Sequence, residues 1–259
     1  IIYYLLSDKT KQVSLTILDE AGNEIRTFGT DELPTEQFSK IEGREYGGSP
    51  QAKQVTAGVG QGLNRFIWDM RYAPVSQIPG RPPVVINPIA KPGTYQVRLT
   101  VDGQSLTQSF ELKINPNETY TRAQTDEKGK AWMALYEQSE KTVQAILNGL
   151  EAKKKAAEAA KANPSLNNAA AEVAKVADSF EAGMVSTGTT LVQIISEPTK
   201  PLAFLTTLHN LLEHTEGPPN KPRYQVFEKY SGEIDAKIAA FGTRLDREMD
   251  KFDQLTGGR

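Results

Sequence analysis

The chain reads as a multi-domain α+β protein, with an antiparallel immunoglobulin-like β-sandwich over residues 1–116 and an up-down bundle of three or four helices over residues 117–259. Two observations predict this. The apolar period is near two as far as Pro116 and near 3.6 beyond it. A length of 259 residues also exceeds the usual single domain.

In the first part, "IYYLL" at Ile2–Leu6 opens as a strand, and "VSLTILD" puts Val13, Leu15 and Ile17 on one face. The "DEAGN" of Asp19 to Asn23 supplies a turn, after which Glu24 to Phe28 resumes the extended run. Leu63 to Met70 reads as a further strand. The strongest local signal is "GTYQVRLTVDGQSLTQSFELKI". Tyr95, Val97, Leu99 and Val101 alternate, Asp102-Gly103 makes a tight turn of the primed type, and Phe110, Leu112 and Ile114 alternate on the way back. Two long loops interrupt the strands: residues 29–62, polar around "EYGGSP", and residues 74–92, "PVSQIPGRPPVVINPIAKP".

Beyond Asn115-Pro116, Trp132, Leu135, Val143, Ile146, Leu147 and Leu150 fall along a helical stripe that continues into "EAKKKAAEAAKA" and breaks at Asn163-Pro164. Ala169 to Phe180 predicts a second helix. Pro201 to His214 predicts a third, opened by a proline in its first turn. "MVSTGTTLVQIIS", between them, fits helix and extended structure equally. The last helix carries a seam of Phe227, Ile234, Ile238, Phe241, Leu245 and Phe252.

Composition removes several function classes. Lys and Arg total 30 against 32 Asp and Glu, so there is no general electrostatic pull toward nucleic acid. Cysteine is absent, which excludes disulfides and thiolate metal sites. No apolar run approaches the roughly 20 residues needed to span a bilayer. The chain begins Ile1-Ile2-Tyr3-Tyr4, without Met or a leader, and is expected to be a piece of a longer polypeptide.

Among candidate sites, "GLNRFIWDMRY" at Gly62 to Tyr72 sets Trp68 beside Asp69 between Arg65 and Arg71. Along a strand, Phe66, Trp68 and Met70 share one face, and Arg65, Ile67, Asp69 and Arg71 the other. One reading makes Phe66 and Trp68 core, with Asp69 hydrogen-bonded to backbone at the strand end. The other makes the cluster an aromatic platform for a sugar. His209 and His214, the two histidines, stand five apart on one helix, unlike zinc ligands spaced i, i+4. No G-x-S-x-G elbow is present. Asp31, Glu32, Glu42 and Glu45 offer carboxylates without a spacing that singles out a pair. "GVGQG" at Gly58 to Gly62 leads into a strand and lacks the Lys-Ser/Thr of a phosphate loop. Lys153 to Lys155 is read as a solvated helix face. No catalytic residue, cofactor or metal ligand is predicted.

The order of these motifs resembles the C-terminal region of bacterial sortilin-like (VPS10/BNR-repeat, glycosyl hydrolase-like) β-propeller proteins. A G-x-N-x-F-x-W-D-x-R strand corresponds to Gly62, Asn64, Phe66, Trp68, Asp69 and Arg71, and a P-G-x-Y hairpin to Pro92, Gly93 and Tyr95. The resemblance covers most of the chain, but the propeller repeats are absent from it, so no glycosidase residue carries over. It implies an exported protein (periplasmic, cell-surface or extracellular) in which this chain is a non-catalytic accessory module docking on its own propeller or on another subunit. A carbohydrate-binding or glycoside-hydrolase-associated module is the rival expectation, with Tyr46, Arg71, Tyr72 and Arg81 as the ligand surface. A surface adhesin or assembly subunit is the third.

Overall fold

The computed structural model describes residues 1–8, 12–30, 56–81, 84–114, 116, 121–186, 200–215 and 221–256. Tyr46 and most of the loop 29–62 lie outside them, as does "MVSTGTTLVQIIS" beyond Ser186. Among the described residues there are six strands and four α-helices, a mixed α+β content with the strands antiparallel in two small sheets. By contact the chain forms two compact units, Ile1–Pro74 with Asn87–Gly129, and Val75–Ile86 with Lys130–Arg259.

In the first unit, β1 (Ile2–Leu6) pairs with β4 (Gly62–Phe66) as a two-stranded sheet. The second sheet has the order β3-β2-β5-β6, from β2 (Val13–Asp19), β3 (Glu24–Phe28), β5 (Gly93–Val101) and β6 (Gln104–Leu112). The turns follow from local chemistry. Asp19 accepts the Asn23 backbone N–H at 2.8 Å and its side-chain amide at 2.9 Å, while Gly22 supplies a φ of 88°. Asp102 and Gly103 both have positive φ, 47° and 86°, as a primed two-residue hairpin turn requires.

One apolar cluster fills this unit. Tyr4, Leu6 and Phe66 from the two-stranded sheet meet Leu15, Ile17, Ile25, Phe28 and Tyr95 from the four-stranded one. β2 is buried at nearly every position because it lies between β3 and β5. The strand expected over Leu63–Met70 ends at Phe66. Met70 has a φ of 61°, a left-handed conformation that a continuing strand does not accommodate. Trp68 and Asp69 therefore sit in the segment after the strand.

The second unit contains residues Lys130 onward of α1 (Arg122–Ala162), then α2 (Asn167–Met184), α3 (Pro201–His214) and α4 (Lys221–Leu255). α1 stops where Asn163 takes an extended conformation and its side chain caps Ser165 N at 3.2 Å, with Pro164 beginning a short 3-10 turn. Val75, Ile78 and Ile86 from the Pro-rich segment bury themselves with Trp132, Leu135, Ile146, Leu205 and Ile234. Further along, Ala156, Val173, Phe241 and Phe252 form a second cluster. At Gly149 an added Cβ would stand 2.9 Å from Phe241 Cζ and 3.4 Å from Ala177 Cβ, so this glycine marks a close approach of helices.

Candidate functional site

The segment Gly58–Tyr72 is organised by internal hydrogen bonds. Asn64 Nδ2 donates to the carbonyls of Gly60 (2.7 Å) and Gly62 (3.1 Å), tying the glycine-rich lead-in to β4. Tyr4 donates its hydroxyl to Gly58 O at 2.7 Å. A Cβ on Gly58 would lie 2.6 Å from Asn64 Oδ1, so a side chain at that position displaces the tie.

Phe66 and Trp68 are buried in the core of the first unit. Trp68 meets Tyr95 and Phe110 edge to face at centroid distances of 5.8 and 6.1 Å, and its Nε1 donates to Arg71 O at 3.1 Å. Asp69 accepts the Arg71 backbone N–H at 3.1 Å and pairs with Arg26, whose guanidinium lies 4.6 Å over the Phe28 ring. Arg71 Nη1 donates to Asn87 O at 3.1 Å. Tyr72 is half-buried, and burial, followed by the nearby Asp19 charge, pushes its phenol above the ordinary tyrosine range.

Pro92-Gly93 opens β5 and leads into Tyr95, which donates its hydroxyl to Lys91 O at 2.6 Å. Burial, then Tyr72 and Asp19, push the Tyr95 phenol up to about 12. The polar groups of Trp68, Asp69 and Arg71 are thus engaged within the first unit, by backbone carbonyls and N–H and by the Arg26 guanidinium.

Of the residues read as a ligand surface, Arg71 and Tyr72 lie in the first unit and Arg81 in the second; Tyr46 lies outside the described residues. Arg81 is held by Glu181, with Nε and Nη2 each 2.7 Å from Oε1. Arg71 and Tyr72 are neighbours in the first unit, and Arg81, in the second, has Glu181 as its partner.

The feature that sequence reasoning missed is the outer face of the two-stranded sheet. Side-chain alternation sends Tyr4, Leu6 and Phe66 inward and leaves Ile1, Tyr3, Leu5, Leu63, Arg65 and Ile67 outward. Leu5 stands opposite Leu63 and Tyr3 opposite Arg65, and Ile1 and Ile67 directly follow the last pair, Ile2 with Phe66. Leu5 is 73% exposed, Leu63 72%, Ile1 69% and Tyr3 58%. Scattered apolar residues on a surface are ordinary, but here they occupy neighbouring cross-strand positions and make one patch.

The chain matches no family model, no curated protein and no solved structure.

A signal for this patch was present in the sequence. "IIYYLL" is apolar at every position, the pattern of a strand covered on both faces, whereas a strand with one wet face alternates. No helix among the described residues is long and apolar enough to cross a membrane.

Proposed function

We propose that this chain is a non-catalytic interaction module, an immunoglobulin-like sandwich with an up-down helical bundle, that serves an exported β-propeller protein by docking on the propeller or on a partner subunit. The carrying observation is the exposed outer face of β1 and β4. A six-residue apolar run whose pattern demands cover on both sides has cover on only one. A protein surface packed against Ile1, Tyr3, Leu5, Leu63 and Ile67 supplies the other, with Arg65 at the rim as its polar contact. The sortilin-like motif order supports the propeller as the partner. The internal engagement of Asp69, Arg71 and Arg81 weighs against the glycan reading, because a sugar site needs those donors and acceptors turned outward.

The test uses the native polypeptide from its source, with its intact mass and N-terminal sequence measured and a photo-crosslinking residue placed at Leu63. A polypeptide that contains propeller repeats and crosslinks from position 63 into one propeller surface supports the reading, as does a stoichiometric subunit crosslinked there. A native protein with neither, whose position 63 reacts only with solvent, overturns it.

A further inference from the structure

The exposed edge of the four-stranded sheet carries an inference independent of the docking face. β6 is the terminal strand, nine residues long, and among the described residues nothing pairs with its outer side. Exposed edges in natural proteins are usually blunted by lysine, proline or a bulge. "QSLTQSFEL" has no lysine or proline, and its register with β5 runs unbroken from Gln104 to Leu112. Its one charge is Glu111, and Leu106 is 71% exposed.

The backbone groups available on that edge follow from the hairpin. A two-residue turn at Asp102-Gly103 makes Val101 and Gln104 a hydrogen-bonded pair, and antiparallel alternation then turns the N–H and C=O of Ser105, Thr107, Ser109 and Glu111 away from β5. The side chains of Leu106, Gln108 and Phe110 share the sheet face of Val97, Leu99 and Tyr95. Phe110, Val97 and Leu99 pack against the core, and Leu106 continues that apolar face to the open edge.

We infer that β6 pairs antiparallel with the β6 of a second copy of this chain, about a two-fold axis at Gln108, to give one continuous eight-stranded sheet. The strand is its own complement in this register. Reading outward from Gln108 in both directions, Thr107 meets Ser109 and Leu106 meets Phe110 of the other copy, and Ser105 meets Glu111. The outward-facing backbones of Ser105, Thr107, Ser109 and Glu111 oppose one another in four hydrogen-bonded pairs, about eight bonds in all. Leu106 and Phe110 face each other across the two apolar positions, where such pairs stabilise a sheet. The two Glu111 carboxylates stand at opposite ends, whereas a parallel in-register pairing sets them side by side and is disfavoured by their repulsion. The palindromic polarity selects a second copy over an unrelated strand.

The absence of cysteine makes the register directly measurable. Gln108→Cys places two thiols at a non-hydrogen-bonded pair on the axis, where side chains are closest; Leu106→Cys separates the two thiols by four residues along the strand. Both side chains are exposed, so far-UV circular dichroism is expected to stay unchanged. The expected result is a dimer by sedimentation, disulfide trapping at least about tenfold faster for Gln108→Cys than for Leu106→Cys, and a dissociation constant raised at least about tenfold by Leu106→Lys. Leu5→Lys with Leu63→Lys, which disables the docking face, leaves this dimer intact. A chain that sediments as a monomer at hundreds of micromolar overturns the inference, as does equal trapping at both cysteines. Loss of the dimer in the Leu5→Lys, Leu63→Lys variant assigns the self-association to the other sheet and overturns it too.

Discussion

Both hydrogen-bonding donors of Ser76 converge on the carboxylate of Glu140: the backbone N–H reaches Oε2 at 2.7 Å and the hydroxyl reaches Oε1 at 2.6 Å. Gln144 Nε2 joins them, 2.7 Å from Glu140 Oε1 and 2.8 Å from Ser76 Oγ. The Pro-rich segment Val75–Ile86 is thereby fastened to α1 within the second unit. Burial pulls the Glu140 carboxyl upward, but the bonds from the Ser76 hydroxyl, Gln144 and the Ser76 amide outweigh it and leave the group below its ordinary value. A carboxyl lowered on folding contributes stability above its unfolded pKa of about 4.3, and that contribution is lost as the pH falls through the lower folded value. Glu140→Gln is expected to cost about 1 kcal/mol at neutral pH, the modest end for bonds to a part-buried charge. In denaturant unfolding across pH 2–7 the difference between wild type and variant should shrink on the acid side. A constant difference means that the ionised form is not what holds Ser76.

Trp68 joins β4 to β5 and β6 through Tyr95 and Phe110, and it also binds the Arg71 carbonyl. Trp68→Ala removes a large buried side chain and is expected to cost about 3–5 kcal/mol in denaturant unfolding. Trp68→Phe keeps an aromatic ring but leaves the Arg71 carbonyl without this donor, so its loss should be smaller. Equal and slight losses in both variants would show that the indole is not the packing centre of this unit.

Tyr95 gives a prediction on the alkaline side. Its phenol is raised to about 12, chiefly by burial and then by Tyr72 and Asp19, and its hydroxyl donates to Lys91 O. The neutral form is favoured on folding. Its contribution is therefore complete below the unfolded value of about 10 and is lost as the pH rises toward the folded one. Tyr95→Phe should cost about 1 kcal/mol at pH 7, for the lost hydrogen bond. Between pH 10 and about 12 the gap between wild type and variant is expected to close. A gap that stays constant through that range rules out a buried neutral phenol.

The glycan reading makes the opposite demand on Tyr72 and Arg81. With Arg81 on Glu181 and Tyr72 half-buried, the paired substitution Tyr72→Ala, Arg81→Ala is expected to lower stability and leave retention on a glycan array at background, as in the wild type. Wild-type retention that the double variant abolishes would restore the carbohydrate-binding reading.

The strands and helices were largely legible because each rests on local chemistry. The Asp102-Gly103 turn, the Asp19 to Asn23 turn and the Asn163-Pro164 break state their geometry in the residues themselves. Three features needed the third dimension. β4 ends at Phe66, where its pairing with β1 ends at Ile2, and the left-handed Met70 four residues on is a conformation that methionine does not advertise. Apolar period makes the Pro-rich segment a loop between strands and says nothing about which core Val75, Ile78 and Ile86 enter. Of the candidate site residues, the motif sets Trp68 and Asp69 side by side in sequence, but it is the fold that turns Asp69 to Arg26 and Arg71. The outer apolar face of β1 was legible in "IIYYLL", but its open side was not, since exposure is a property of neighbours.

Gly149 of α1 lies at a close approach to α4 in the second unit. An alanine methyl there would stand 2.9 Å from Phe241 Cζ, and the Phe241 ring is itself stacked on Phe180, with centroids 3.9 Å apart and planes 9° from parallel. In an isolated helix, replacing glycine by a better helix former gains up to about 1 kcal/mol. At this position a branched side chain must displace a stacked ring or push α1 outward, and overpacking of this kind costs about 1–3 kcal/mol. Gly149→Ile is therefore expected to lower the unfolding free energy despite its better helix propensity, and Gly149→Ala to lie between the two. Restoring space with Phe241→Leu in the Gly149→Ile background should recover part of the loss, as a positive coupling in a double-mutant cycle. Strict additivity of the two changes would mean that Phe241 is not what Gly149 makes room for.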